Sequence, residues 1–159
     1  MRAKRYLSLL SAALLLAILM LTLTSCGILD MKSGLYFRAT LDNKGCYVTD
    51  YSAFLVDDAL MIPPSYRGRP VVGIDELALT YATCSSITIP ASITYIGAEA
   101  FYGGELFSLT ELHFAESEGW YVYETGEAIP AALLADPATA ARLFTTGVLV
   151  DYTVVRASQ

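Results

Sequence analysis

Apolar positions come in very short bursts through the middle of the chain. Leu60-Met61-Ile62, Ile87-Thr88-Ile89 and Leu112-His113-Phe114 each set one residue between two apolar ones. That spacing predicts strands only a few residues long, with two side chains facing inward and one outward. The bursts recur at offsets of 27 and 25 residues. Pro63 and Pro90 follow the first two directly; proline cannot donate to a ladder, so the chain is expected to turn there. A second phrase follows each turn. Val71-x-x-Ile74 and Ala78-Leu79 are answered 22 residues later by Ile93-x-x-Ile96 and Ala100-Phe101. These positions are expected to return across the opposite side and fill the coil interior, with Gly73 and Gly97 permitting the turns. Repetition at roughly 20–50 residues marks a solenoid, in which a coil that cannot hide its own apolar edge stacks on the next.

Two good units and the strand of a third fall short of the roughly three repeats a stack needs. The ends must therefore act as caps. Leu35 to Thr40, then Asp42-Asn43-Lys44-Gly45, then Cys46 to Thr49 reads as strand, tight turn, strand, and Tyr51 to Leu55 leads into the first coil. Beyond the repeats, Gly119-Trp120-Tyr121-Val122-Tyr123 reads as an aromatic lid. Asp136-Pro137 is a helix start, an N-cap followed by proline in the first turn. The helix is expected to run through Ala138, Ala140, Ala141 and Leu143 and to stop before Gly147. Val148 to Val155 then alternates as a closing strand, with Val148, Val150, Tyr152 and Val154 on one face. The predicted fold is mainly β with short helices, a solenoid of two to three coils. A hairpin cap over 35–58 precedes repeats over 59–118, and a strand/helix cap over 119–159 follows.

The first residues have a different pattern. Arg2, Lys4 and Arg5 precede an almost unbroken apolar run, Tyr6 to Leu23, which ends in Leu23-Thr24-Ser25-Cys26. This ending resembles the bacterial lipobox, which implies a signal peptide over 1–25, cleavage before Cys26 and lipidation of its thiol. Residues 26–34 would be the lipidated tether. Two acyl chains on one cysteine hold a domain stably at a membrane, where a single chain is marginal. The competing reading is an uncleaved membrane anchor, since the run approaches the roughly 18–20 residues that span a bilayer.

The repeat phrases resemble the BspA-like class of bacterial surface leucine-rich repeats, whose units run close to I-x-I-P, several residues, then V/I-x-x-I-G-x-x-A-F. Residues 87–101 match nearly every position. The first unit departs at Asp75 and Leu79 and carries an insert, Tyr66-Arg67-Gly68-Arg69-Pro70, that looks like the usual opening repeat of the family. The third loses its proline to Ala115 and has no return segment. The resemblance covers roughly 35–156 and is strongest at 60–114. It implies a secreted or surface-attached protein that binds proteins, and it carries no catalytic residues.

Charge narrows the partners. The whole chain has 10 basic and 16 acidic residues; removal of the leader leaves seven bases and every acid. An acidic domain without a basic stripe argues against nucleic acid and anionic lipid. Candidate chemistry is thin. His113, the one histidine, falls in an outward strand position without a nucleophile-elbow, phosphate-loop or dinucleotide pattern nearby. Asp57-Asp58 and Glu116/Glu118 lack the spaced ligands of a calcium loop. Asp42 to Gly45 reads as a turn, and no cofactor or metal is implied. Cys46 and Cys84 read as small core residues, with a disulfide also permitted outside the cytoplasm.

Two binding surfaces suggest themselves. Stacked strands would present Met61, Thr88 and His113 as one outward row. Ten of the 11 tyrosines follow the leader, among them Tyr66, Tyr81, Tyr95, Tyr102, Tyr121 and Tyr123, either as interface or as cover for solenoid edges. The expected function is that of a lipid-anchored, non-catalytic extracytoplasmic module that binds a protein or glycan. The alternative is an envelope scaffold that binds another protein of the same cell.

Overall fold

The computed structural model describes residues 28–30, 33–52, 58–80, 82–103 and 108–157. The expected signal peptide, Cys26, residues 53–57 (Asp57 and most of the segment expected to lead into the first coil) and Tyr81 lie outside them. In chain order the strands are β1 (Ile28–Asp30), β2 (Leu35–Ala39), β3 (Cys46–Tyr51), β4 (Ala59–Met61), β5 (Ser65–Tyr66) and β6 (Arg69–Ile74). They continue as β7 (Ser86–Ile89), β8 (Tyr95–Ile96), β9 (Glu111–Phe114), β10 (Trp120–Val122) and β11 (Val154–Arg156). Two helices, α1 (Ala131–Ala135) and α2 (Pro137–Thr145), lie between β10 and β11.

The three apolar bursts lie side by side as expected. They form a parallel sheet in the order β4-β7-β9, in which Leu60 pairs with Ile87 and Ile87 with Leu112. Proline sets the length of its rungs. Ile62 N–H still donates to Thr88 O at 3.2 Å, and Pro90, whose nitrogen would face Ile62 next, has no hydrogen to give. In the third unit, where Ala115 replaces proline, its N–H donates to Ile89 O at 2.9 Å and the ladder gains a rung.

The return segments form a second, larger sheet, ordered β1-β2-β3-β6-β8-β11-β10, with β5 paired to β6. The strands β3, β6 and β8 run parallel, so the N-terminal hairpin enters the stack as another coil edge. At the far end β11 and β10 close the sheet antiparallel. Between the sheets Ile62, Ile74, Leu79, Ile87, Ile89, Ile93, Ile96, Phe101 and Leu112 are fully buried. Phe101, Phe114, Phe144 and Trp120 then meet in edge and stacked pairs at 5.4–5.8 Å. That cluster ties the last coils to α2, which packs on β9.

Several local expectations change. Gly73 lies inside β6 and serves no turn, whereas Gly97 opens one, its C=O accepting the Ala100 N–H at 3.3 Å. A Cβ on Gly73 would lie 2.4 Å from the Tyr47 ring, and one on Gly97 would lie 2.5 Å from Glu76 N. They let neighbouring coils approach. The corners themselves are made by Leu77 and Glu99, at φ of 60° and 54°, 22 positions apart like the phrases that contain them. The polar insert is a hairpin, β5 to β6, turned by Arg67 and Gly68, both at positive φ as a two-residue turn requires. The predicted closing strand shrinks to Val154–Arg156. Val148 and Tyr152 are exposed and stand in turns, because Leu149 N–H donates back to Leu143 O. Ile28–Asp30, expected in the tether, pairs with β2 as an edge strand.

Candidate binding surfaces

On the outer face of the smaller sheet, Met61, Thr88 and His113 stand in register. Met61 is 71% exposed, and the other two are half-buried. Ala59, Ser86 and Glu111 form the adjoining row. His113 Nε2 lies 3.0 Å from Glu111 Oε2, so ring and carboxylate hold each other across the face. Hydroxyls at the strand entrances are already used. Ser85 Oγ donates to Asp58 O at 3.3 Å and Thr110 Oγ1 to Ser85 O at 3.1 Å, each bridging to the preceding coil.

The larger sheet carries a longer row. Arg38, Tyr47, Gly73, Tyr95, Val155 and Tyr121 are successive register partners. All point outward, because their strand neighbours Val48, Ile74, Ile96, Val154 and Val122 are buried. Tyr47 leans over the bare Gly73 and meets Tyr95 edge-on at 5.6 Å and 72°. The Arg38 guanidinium lies 5.9 Å above the Tyr47 ring and pairs with Asp75.

Two more acidic residues border this face. The backbone of Glu76 crosses directly over Gly97, just past the end of β8 and two residues from Tyr95. Glu124 Oε1 accepts the Thr153 N–H at 3.1 Å, two residues from Val155. Partial burial, then the Asp75 charge, the Tyr47 hydroxyl and the Glu76 and Glu124 charges, push the Tyr95 hydroxyl above its ordinary range. Sequence reasoning singled out Tyr95 and Tyr121 without placing them in a row. Their alternation with buried neighbours was the available signal, but the row needs Tyr47 and a second sheet that was not foreseen.

The remaining candidates lie away from both rows. Tyr66 stacks on Phe37 at 4.2 Å, and Tyr102 and Tyr123 are exposed. In the C-terminal cap, Val122, Ile129, Leu133, Val148, Leu149 and Tyr152 line a groove of about 300 Å³. A second hollow, of about 380 Å³, includes Thr94, Glu116, Glu118 and Arg156. There Arg156 lies over the Trp120 ring at 5.6 Å and donates to Ala91 O. Glu116 Oε1 accepts the Glu118 N–H, and Asp58 Oδ1 accepts the Ser85 N–H, both at 3.2 Å. The turn at Asp42 is tied by the Thr40 hydroxyl and the Lys44 N–H. Cys46 and Cys84 are free and buried, and burial pushes both thiols up.

No protein-family model and no curated protein matches the chain. Solved structures do. A leucine-rich repeat protein from Bacteroides capillosus superposes with a TM-score of 0.50 at 24% identity, over 58% of this chain and 67% of that one. The fold is that of a small leucine-rich repeat protein. A Treponema pallidum leucine-rich repeat protein gives 0.44 at 23% identity, over 50% of this chain and 36% of its own length. A leucine-rich cell surface protein from Faecalibacterium prausnitzii gives 0.45 at 21%, over 58% of this chain and 24% of its own.

Proposed function

We propose that this leucine-rich repeat chain is a lipid-anchored, non-catalytic extracytoplasmic module of the BspA-like kind that recognises a protein or glycan through its repeat surface. The observation that carries the reading is the register of the stacked coils. Each rung adds one outward side chain to a continuous face, so recognition can be spread over rungs instead of gathered in a cleft. The leader pattern ending at Cys26 supports an envelope location, and the I-x-I-P phrases support the BspA-like assignment.

The test is a pull-down with residues 27–159 against separate pools of envelope proteins, extracellular proteins and glycans. The reading expects saturable capture of a discrete species that weakens when an outward residue such as Thr88 or Tyr95 is changed. Capture indifferent to both faces would overturn it.

A further inference from the structure

We propose that the outer face of the larger sheet, along Tyr47, Tyr95 and Tyr121, docks a protein segment that presents arginine or lysine side chains. The proposal rests on the binding-module reading and gives the partner its chemistry.

The chain displays the mode of recognition on itself. Arg38 lays its guanidinium over Tyr47 and pairs with Asp75, which combines a ring face with a carboxylate at its edge. A cation is drawn to the negative face of a ring, and more strongly where water is partly excluded. The same two ingredients recur further along the row without a base to fill them. Tyr95 and Tyr121 flank the smaller Val155 in register. They stand two strands, roughly 10 Å, apart, which leaves a shallow trough over Val155. The aliphatic stem of an arginine or lysine can lie there with its charged head beyond the apolar floor.

Glu124 is held at Thr153, two residues before Val155 and just ahead of β11, about 7 Å from the trough and within reach of such a head. Glu76 lies over Gly97 at the same end. Among the described residues the ion pairs are Arg38–Asp75 and His113–Glu111, so neither Glu76 nor Glu124 holds a cationic side chain. Arg156, beside Val155 in the chain, is turned inward onto Trp120. A row of tyrosines alone would suit a neutral glycan equally well. Unpaired acidic residues along one side of the row favour a cationic partner, and they repel an anionic membrane surface or a nucleic acid.

The experiment uses the full chain in neutral detergent and fluorescent decapeptides of alternating glycine with arginine, lysine or glutamate. Cello- and chito-oligosaccharides serve as neutral probes. The arginine and lysine peptides should bind and the glutamate peptide should not. Tyr95→Leu and Tyr121→Leu leave the charge unchanged and should each weaken binding about two- to fivefold. The pair Glu76→Gln/Glu124→Gln should weaken it at least as much. Glu116→Gln/Glu118→Gln removes equal charge away from the row and should leave binding unaltered.

Equal loss in the two carboxylate pairs, or unaltered binding in both tyrosine variants, would reduce the effect to diffuse attraction and sink the proposal. So would saturable binding of a neutral glycan on the row that ignores Glu76 and Glu124. A partner that maps to Met61, Thr88 and His113 would leave the binding-module reading standing while this proposal fell; circular dichroism of each variant separates lost binding from lost fold.

Discussion

Gly97 shows how tightly neighbouring coils meet. A methyl group there would press on the backbone of Glu76, whose N and Cα lie within 2.5 and 2.8 Å of the added atom, and backbone in a packed stack has nowhere to go. At Gly73 the obstacle is the Tyr47 ring at 2.4 Å, a side chain that can swing into solvent. Gly97→Ala should therefore lower the thermal midpoint by about 5–10 °C, and Gly73→Ala by no more than half as much. Equal shifts would mean that coil spacing is not set at Gly97. The glycines themselves could be read from the repeat. The close approaches they allow could not, because a missing side chain does not say which neighbour comes close. Leu77 and Glu99 make the same point, since nothing in either residue type announces a left-handed corner that costs roughly 1–2 kcal/mol.

Among the elements, the short strands were legible and their partners only partly so. The apolar-x-apolar phrase placed β4, β7 and β9 in one ladder because its alternation is a local signal, as is the proline that ends it in the first two units. Ile89 and Phe101 are both nearly or fully buried, so Ile89→Asp or Phe101→Asp should abolish the cooperative melt, each leaving an unpaired charge between coils. A melt within a degree or two of the parent would mean that the interior is not where these residues lie.

The helix start at Asp136-Pro137 was equally readable, and Asp136 does accept the Thr139 N–H at 2.8 Å. The Thr139 hydroxyl, then that N–H, holds Asp136 below its ordinary value of 3.8. The Thr40 hydroxyl and the Lys44 N–H do the same for Asp42. A carboxylate whose folded pKa is depressed contributes stability that is present above its unfolded pKa and is lost as pH falls through the folded one. Denaturant midpoints should thus fall from about pH 5 downward, and the fall should be shallower in Asp42→Asn/Asp136→Asn. An unchanged acid limb would remove these two groups from the account. The predicted strand over Val148–Val155 failed because alternation alone does not supply a partner. The chain first folds back on α2 through Leu149 and finds β8 only at Val154.

For the molecule as a whole, the proposed lipid anchor is the reading most open to a direct test. Cys26→Ala should leave the precursor unlipidated and uncleaved at this position, read by intact mass and by detergent-phase partitioning. Processing that continues unchanged would remove the lipid from the proposed function.

The sequence by itself determined the repeat, its period, the places where proline ends a strand and the need for caps. All of these follow from local alternation and from an apolar edge that one coil cannot bury alone. Only the tertiary structure decided that the return segments are strands, that β3 and β11 extend their sheet, and that Tyr47, Tyr95 and Tyr121 share one face. Register across a sheet depends on which distant strands meet, and at β8 just two residues carried that information, too few for any periodicity to reveal.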